Sequence, residues 1–425
     1  MKEYFKINKY LSTDSKILVN IFSLFSIYFL SFFISLISLP FLIKNFGLNK
    51  WGEIVLCQIF LNYLIWIIDW SFNQYGSKFV SINSNVKKQI IIIEEIWSAQ
   101  FILTLLTTII SIFLSIFWTK YRLIFLYFNF TLLGNFLQPY WILNGLERNY
   151  ESAILQLLNK TFFVFSIFLF INPSSSIANF FLIFGICYLV TGILFQLRIL
   201  KIYSQRIKIV NLWRGYKVLK KSASLYFSSV YASFINTSIP LFISYYLGAT
   251  NLGIYNVADR IKGICSQLTN PITHAIFPRM AKKYSFDKEA GNSTLKKIFL
   301  VILPAILVSY FVINLNSNLV VSFFTEENVS SVIMVLRILL ISFVINVVNE
   351  VIINQYMIPN GHYKIINKLR ITMLFSTIML CLILVNKFGL IGAAFSNLFS
   401  ESIGFIIITN KLVKTINNKS NPQMF

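Results

Sequence analysis

Read for polarity alone, the chain is a series of long apolar runs separated by short polar breaks. Twelve runs can be counted, at 17–42, 54–72, 92–118, 122–143, 153–171, 177–197, 222–247, 254–277, 298–315, 331–357, 369–386 and 389–410. About 20 apolar residues in an α-helix cross a hydrocarbon layer of about 30 Å, so each run suffices for one span. The ten-residue alternation of a transmembrane barrel strand is not seen, and no polar stretch is long enough for a separate soluble domain. The pattern predicts an all-α polytopic membrane protein with about 12 transmembrane helices. The first run is too long for a signal-peptide core and no small-residue cleavage site follows, so it reads as a retained span.

The breaks alternate in charge. Those after the even-numbered runs, together with both termini and with Arg370 at the edge of the eleventh run, hold 28 of the 37 Lys and Arg residues. The other breaks, with Arg122 at the edge of the fourth run, hold five (Lys44, Lys50, Lys120, Arg122 and Lys387), and four lie deeper within runs. Basic loops stay on the cytoplasmic side of a membrane, which places both termini there.

The pattern also repeats. PFLIKNFGLNKWG at 40–52 returns as PLFISYYLGATNLG at 240–253, so that Pro40, Gly47 and Gly52 answer to Pro240, Gly248 and Gly253. Each copy reads as a helix, a tight turn and the next helix, with glycines where positive φ or close backbone approach is needed. QPYWILNG at 138–145 has its echo in QYMIPNG at 355–361. Two echoes in the same order point to internal duplication, giving two pseudo-symmetric six-helix bundles, residues 1–200 and 222–425. Residues 201–221 join them, with Leu212, Trp213, Tyr216 and Leu219 set among basic residues as in a helix lying on a membrane surface. Even span numbers give the halves one orientation, as in transporters built from parallel repeats.

Composition agrees with this picture, at 56% hydrophobic and 12% charged. A net charge of +22 would suggest nucleic acid for a soluble chain. Its placement makes it a topology signal and an attraction for anionic headgroups instead, so membrane lipids, not nucleic acid, are the expected partners. Cys57, Cys187, Cys265 and Cys381 lie within apolar runs without metal-ligand spacing, which indicates neither disulfides nor zinc. There is no P-loop, GxSxG or HExxH, and histidine occurs twice, as His274 and His362. No catalytic residue, metal site or cofactor is expected, and uphill transport would draw on an ion gradient or on the substrate's own.

Charged groups at membrane depth are costly and face cavities or partners. Glu401 stands near the middle of the last run, while Glu350 and Asn346 share a face of the tenth with Asn349 beside them. Asp259, Arg260 and Lys262 lie a turn or two into the eighth run, Arg337 at similar depth in the tenth and Lys160 in the fifth, with Asp69 near the end of the second. One reading is a hydrated cavity in which Arg260, Lys262, Lys160 and Arg337 attract an anionic headgroup, since Arg binds two phosphate oxygens at once. Glu401 or Glu350, with Asp259 and Asn346, would then serve an H+ or Na+ coupling ion. The other reading is structural: Asp259 pairs with Lys262, Lys160 and Arg337 snorkel to headgroups, and Glu401 bonds a neighbouring helix.

LPFLIKNFGLNKWGEI, WSFNQYGSKFV, LQPYWILNGLERNY, LGATNLGIYNVADRI with IFPRMAKKY, and FGLIGAAFSNLFSESIGF together resemble the Wzx-type O-antigen flippases of the MATE-like (MOP) superfamily. The resemblance covers nearly the whole chain. It implies two six-helix bundles with alternating access, a cationic lumen, and movement of undecaprenyl-diphosphate-linked oligosaccharide across a bacterial inner membrane. Proton or sodium coupling is implied as well, with an O-antigen polymerase and a chain-length regulator as pathway partners. Family members commonly carry a glycine after the aspartate that ends span two, where this chain has Asp69, Trp70 and Ser71. Two alternatives are a MATE-type cation or drug antiporter, which calls for an acidic cavity, and a membrane-embedded polymerase or glycosyltransferase, which calls for a long external loop.

Overall fold

The computed structural model describes residues 13–83, 85–204, 208–209 and 212–417. Twelve α-helices are found in that range, and no strand among the described residues. They are α1 (Thr13–Asp69), α2 (Phe72–Ile82), α3 (Val86–Phe117), α4 (Arg122–Phe136), α5 (Tyr140–Gly145), α6 (Asn149–Phe170), α7 (Ile177–Tyr203), α8 (Leu212–Phe286), α9 (Lys288–Leu315), α10 (Ser317–Phe324), α11 (Val329–Ile352) and α12 (Tyr363–Asn417). Seven described stretches are long and apolar enough to cross a membrane. Two of them, Leu36–Ile82 and Tyr363–Asn410, run to 47 and 48 residues, about twice the roughly 20 that one crossing needs.

The longest helices turn at glycines. α1 turns at Gly47 (φ 71, ψ 167) and α8 at Gly248 (φ 83, ψ −179), conformations that a side chain essentially forbids. Each helix is thus two spans joined at a glycine, at the two positions the repeat singled out. A third joint, at Gly389 in α12 (φ 58, ψ −135), lies outside that repeat. With these joints opened, the helices accommodate the twelve apolar runs.

Three local departures from the apolar pattern have identifiable causes. The run 122–143 is interrupted, because Pro139 lacks a backbone donor and ends the helical path before α5. The polar break after α1 holds a helix of its own, α2, entered through Trp70 (φ 36) and Ser71 (φ 62). Trp70 is held there by stacking on Tyr226, at 3.9 Å between ring centroids, and by an Nε1 hydrogen bond to the Leu219 carbonyl at 3.3 Å. Finally, of the segment 201–221, residues through Tyr203 continue α7 and those from Leu212 continue into α8. Residues 205–207, 210 and 211 lie outside the described residues.

The chain forms two compact units. The first comprises residues 1–45 and 57–227, the second residues 46–56 and 228–425. In the first unit, Phe72, Ile96, Leu103, Trp141, Phe195 and Val218 belong to one buried cluster. There α4 and α7 lie backbone to backbone: a Cβ on Gly134 would sit 2.6 Å from the Tyr188 carbonyl carbon, and one on Gly185 2.7 Å from the Phe130 Cβ. Close approach at small residues is how helices associate in lipid, where apolar burial supplies little preference. In the second unit Ile352, Ile353, Met357, Ile366, Leu369 and Ile408 pack α11 and its terminal π-turn, Ile353–Met357, against α12.

The second unit also contains both copies of the repeat. A Cβ on Gly52 would lie 1.8 Å from the Ala249 carbonyl oxygen, and a Cβ on Gly253 2.1 Å from that of Leu48. Gly52 corresponds to Gly253 and Leu48 to Ala249, both at an offset of 201. The two turns therefore meet reciprocally, as the identical surfaces of a two-fold dimer would. Glu327, in the loop between α10 and α11, fixes the first copy by accepting the Leu48 N–H at 3.0 Å, and Trp51 Nε1 donates to Asn256 Oδ1 at 3.2 Å.

Candidate functional site

In the second unit the helices enclose a polar cavity of about 260 Å³. Its α8 wall follows one helical face: Tyr255, Asp259, Lys262 and Ser266 line it, at spacings of four, three and four residues. α11 contributes Asn346, and α12 contributes Thr377 from before the Gly389 joint and Asn397, Ser400 and Glu401 from after it. From Gly389 to Glu401 the helix rises about 18 Å, so the carboxylate lies well inside a hydrocarbon layer of about 30 Å.

Glu401 is bonded on both oxygens. Asn346 Nδ2 donates to Oε1 at 2.9 Å, and Asn349 Nδ2 reaches Oε2 and the Glu401 carbonyl, each at 3.1 Å. Two amide donors stabilise a carboxylate at a depth where a bare charge would be costly. Asn349 is 2% exposed, and its own Oδ1 finds no hydrogen-bond partner among the described residues. Across the cavity, Lys262 Nζ lies 3.2 Å from Asp259 Oδ1 and donates to Asn397 Oδ1 at 3.3 Å. The Ser342 hydroxyl donates to the same Asn397 oxygen. The Thr377 and Ser400 hydroxyls are 2.7 Å apart. The lining thus carries two carboxylates and one ammonium, and that ammonium is already held.

Of the residues singled out by sequence, Asp259, Lys262, Asn346 and Glu401 come together here. Glu350 lies one turn beyond Asn346 and accepts instead from Asn354 Nδ2 at 3.0 Å. Arg260 and Arg337 are exposed and do not line the cavity. Helical geometry accounts for both: Arg260 is about 100° around α8 from Asp259, and Arg337 is nine residues from Asn346, about half a turn out of phase. Lys160 is exposed on α6 in the first unit. Asn349 was noted only as a neighbour of Asn346 and Glu350, and Asn397, Thr377 and Ser400 were not among the sequence candidates for the site. The available signal was SNLFSES at 396–402, whose polar positions recur at three and four residues.

The first unit has a smaller polar cluster. Asn135 Nδ2 donates to Asp69 Oδ1 at 3.1 Å, and Gln138 Nε2 donates to the Tyr188 carbonyl at 2.6 Å and to Thr191 Oγ1 at 2.8 Å. Gln138 precedes Pro139, so its side chain bridges to α7 at the point where the backbone ladder is broken. Among the described residues, no group of three or more His, Cys, Asp or Glu side chains is placed to hold a metal.

Comparison with known proteins adds findings of three kinds. A candidate O-antigen transporter of Escherichia coli (strain K12) is 24% identical over 384 residues, covering 88% of this chain and 91% of that one. A candidate O-antigen transporter of Shigella dysenteriae is 22% identical, covering 93% and 99%. Among solved structures, the lipid II flippase MurJ in an inward closed conformation superposes with a TM-score of 0.76 at 16% identity, covering 93% of this chain and 87% of that one. An inward-facing multidrug resistance MATE family transporter of the MOP superfamily gives 0.69 at 14%, covering 93% and 96%. The fold is therefore the all-helical, MATE-like fold of that superfamily. The model of the family described as polysaccharide biosynthesis protein matches residues 17–284, more than half of the sequence, and the chain belongs to that family.

Proposed function

We propose that this protein is a flippase moving undecaprenyl-diphosphate-linked O-antigen units from the cytoplasmic to the periplasmic leaflet of a bacterial inner membrane. It works by alternating access and is driven by entry of protons or sodium ions. One observation carries the reading: a chain aligned over 88% of its length with a candidate O-antigen transporter keeps a polar cavity beside a carboxylate deep in a span. The cavity's charge divides the labour. With Asp259 and Glu401 against one ammonium, it repels a diphosphate and suits a coupling cation or proton, with Glu401 as the acceptor. Binding of the diphosphate falls to exposed cations, Arg260 and Arg337 of the second unit or Lys160 of the first. Both termini are cytoplasmic, and the flipped unit passes to a polymerase and its chain-length regulator.

The same acidic balance favours a second reading, a MATE-type antiporter exporting organic cations. Deleting the gene in its host separates the two. Under the flippase reading, lipid-linked single repeat units accumulate in the inner leaflet, surface polysaccharide is lost and drug susceptibility is unchanged. Normal surface polysaccharide with raised drug susceptibility selects the antiporter.

A further inference from the structure

The first turns of α8 present two unlike faces. Gly215, Val218 and Ser222 are buried, and Leu219 half-buried. A Cβ on Gly215 would come within 2.8 Å of the Ala99 backbone nitrogen, Val218 joins the core of the first unit, and the Leu219 carbonyl accepts from Trp70. On the other face, Trp213 and Tyr216 are 61% and 52% exposed and stacked at 5.5 Å, and Lys217 Nζ lies 5.8 Å from the Trp213 ring centre. Lys220 continues this exposed face one turn on. The arrangement is fixed from beside it by Arg214, 3.6 Å from Glu95 on α3.

Trp and Tyr are the residues that gather at the headgroup layers of a membrane, and Lys217 and Lys220 beside the two rings suit the anionic phosphates found on its basic side.

We propose that the Trp213–Tyr216–Lys217–Lys220 face is a binding site for the phosphate of anionic phospholipids in the headgroup layer on the basic side of the membrane. The two rings seat at the glycerol level while the two ammonium groups meet phosphate, and the opposite face ties the bound lipid's position to the core of the first unit. The site is independent of what the protein transports.

The test uses full-length protein and native mass spectrometry with phosphatidylglycerol or phosphatidylcholine. Wild type should retain phosphatidylglycerol preferentially, and Trp213→Ala/Lys217→Gln/Lys220→Gln should lose that preference by at least about tenfold, with unchanged thermal stability. Lys217→Gln/Lys220→Gln, which spares the aromatic pair, should show most of the loss and serves if the triple variant is unstable. Equal phosphatidylglycerol retention by wild type and variants overturns the proposal. So does selective loss of undecaprenyl diphosphate with phosphatidylglycerol retained, which would make the face a substrate entry point. A photoreactive group at position 216 should crosslink to lipid; a protein adduct instead would show a protein-docking surface and overturn the proposal equally.

Discussion

Glu401 meets two asparagine amides whose N–H groups both point at its carboxylate. Glu401→Gln preserves the shape but turns one oxygen into a further N–H donor facing one of those amides. Gradient-driven export should fall at least about tenfold, the scale on which losing a charge-assisted hydrogen bond acts. Membrane abundance, followed by immunoblot, should stay near wild type. Arg260→Ala tests the other half of the proposed division. It leaves the Asp259–Lys262 pair intact, so the protein should remain in the membrane while export of lipid-linked units drops; unimpaired export would remove Arg260 from substrate binding. At this scale the sequence was legible where charge is costly. Glu401 and Lys262 stand out because a carboxylate or ammonium inside a span demands a partner. Asn397, Thr377 and Ser400 do not, since amides and hydroxyls pass as ordinary helix residues that bond their own backbone. Which face each cation takes was hidden as well: Arg260 and Lys262 are two positions apart and end on different sides of α8.

The joints between spans are decided by elements. Two different penalties are expected at the repeated glycines. Gly253→Ala places a methyl against the Leu48 carbonyl, a backbone atom that cannot step aside, and overpacking of that kind costs about 1–3 kcal/mol. Gly248→Ala meets nothing within 4 Å, but must hold a conformation that costs an alanine about 1–3 kcal/mol. Thermal unfolding in detergent should register both losses. A revertant that moves the Leu48 segment should rescue Gly253→Ala and leave Gly248→Ala unchanged. The paired motif was readable because glycine spacing survived in both halves. The joint at Gly389 stands at the break between the eleventh and twelfth runs but lies outside the repeat, since the next glycine follows after three residues and not five. The break at Pro139 escaped, being embedded in an apolar run.

For the whole molecule, apolar runs and basic breaks were enough to give an all-helical membrane protein, because hydrocarbon permits few ways to satisfy a backbone. Orientation rests on the charge asymmetry, and fusions check it. Alkaline phosphatase joined after Leu252 or Thr325 should be active, and after Lys208 or Lys283 inactive; the reverse pattern would invert the topology. What the apolar pattern could not convey is that residues 46–56, which interrupt the first unit in sequence, belong to the second in space. Their reciprocal contact with the second turn joins glycines 201 residues apart. A ribosome adding roughly 5–20 residues per second needs roughly 10–40 s to make that distance. Throughout that interval the first turn is already in the bilayer with its glycine surface uncovered, so the nascent chain passes through a period in which a chaperone or a neighbouring protein can occupy the place its own second half will later fill.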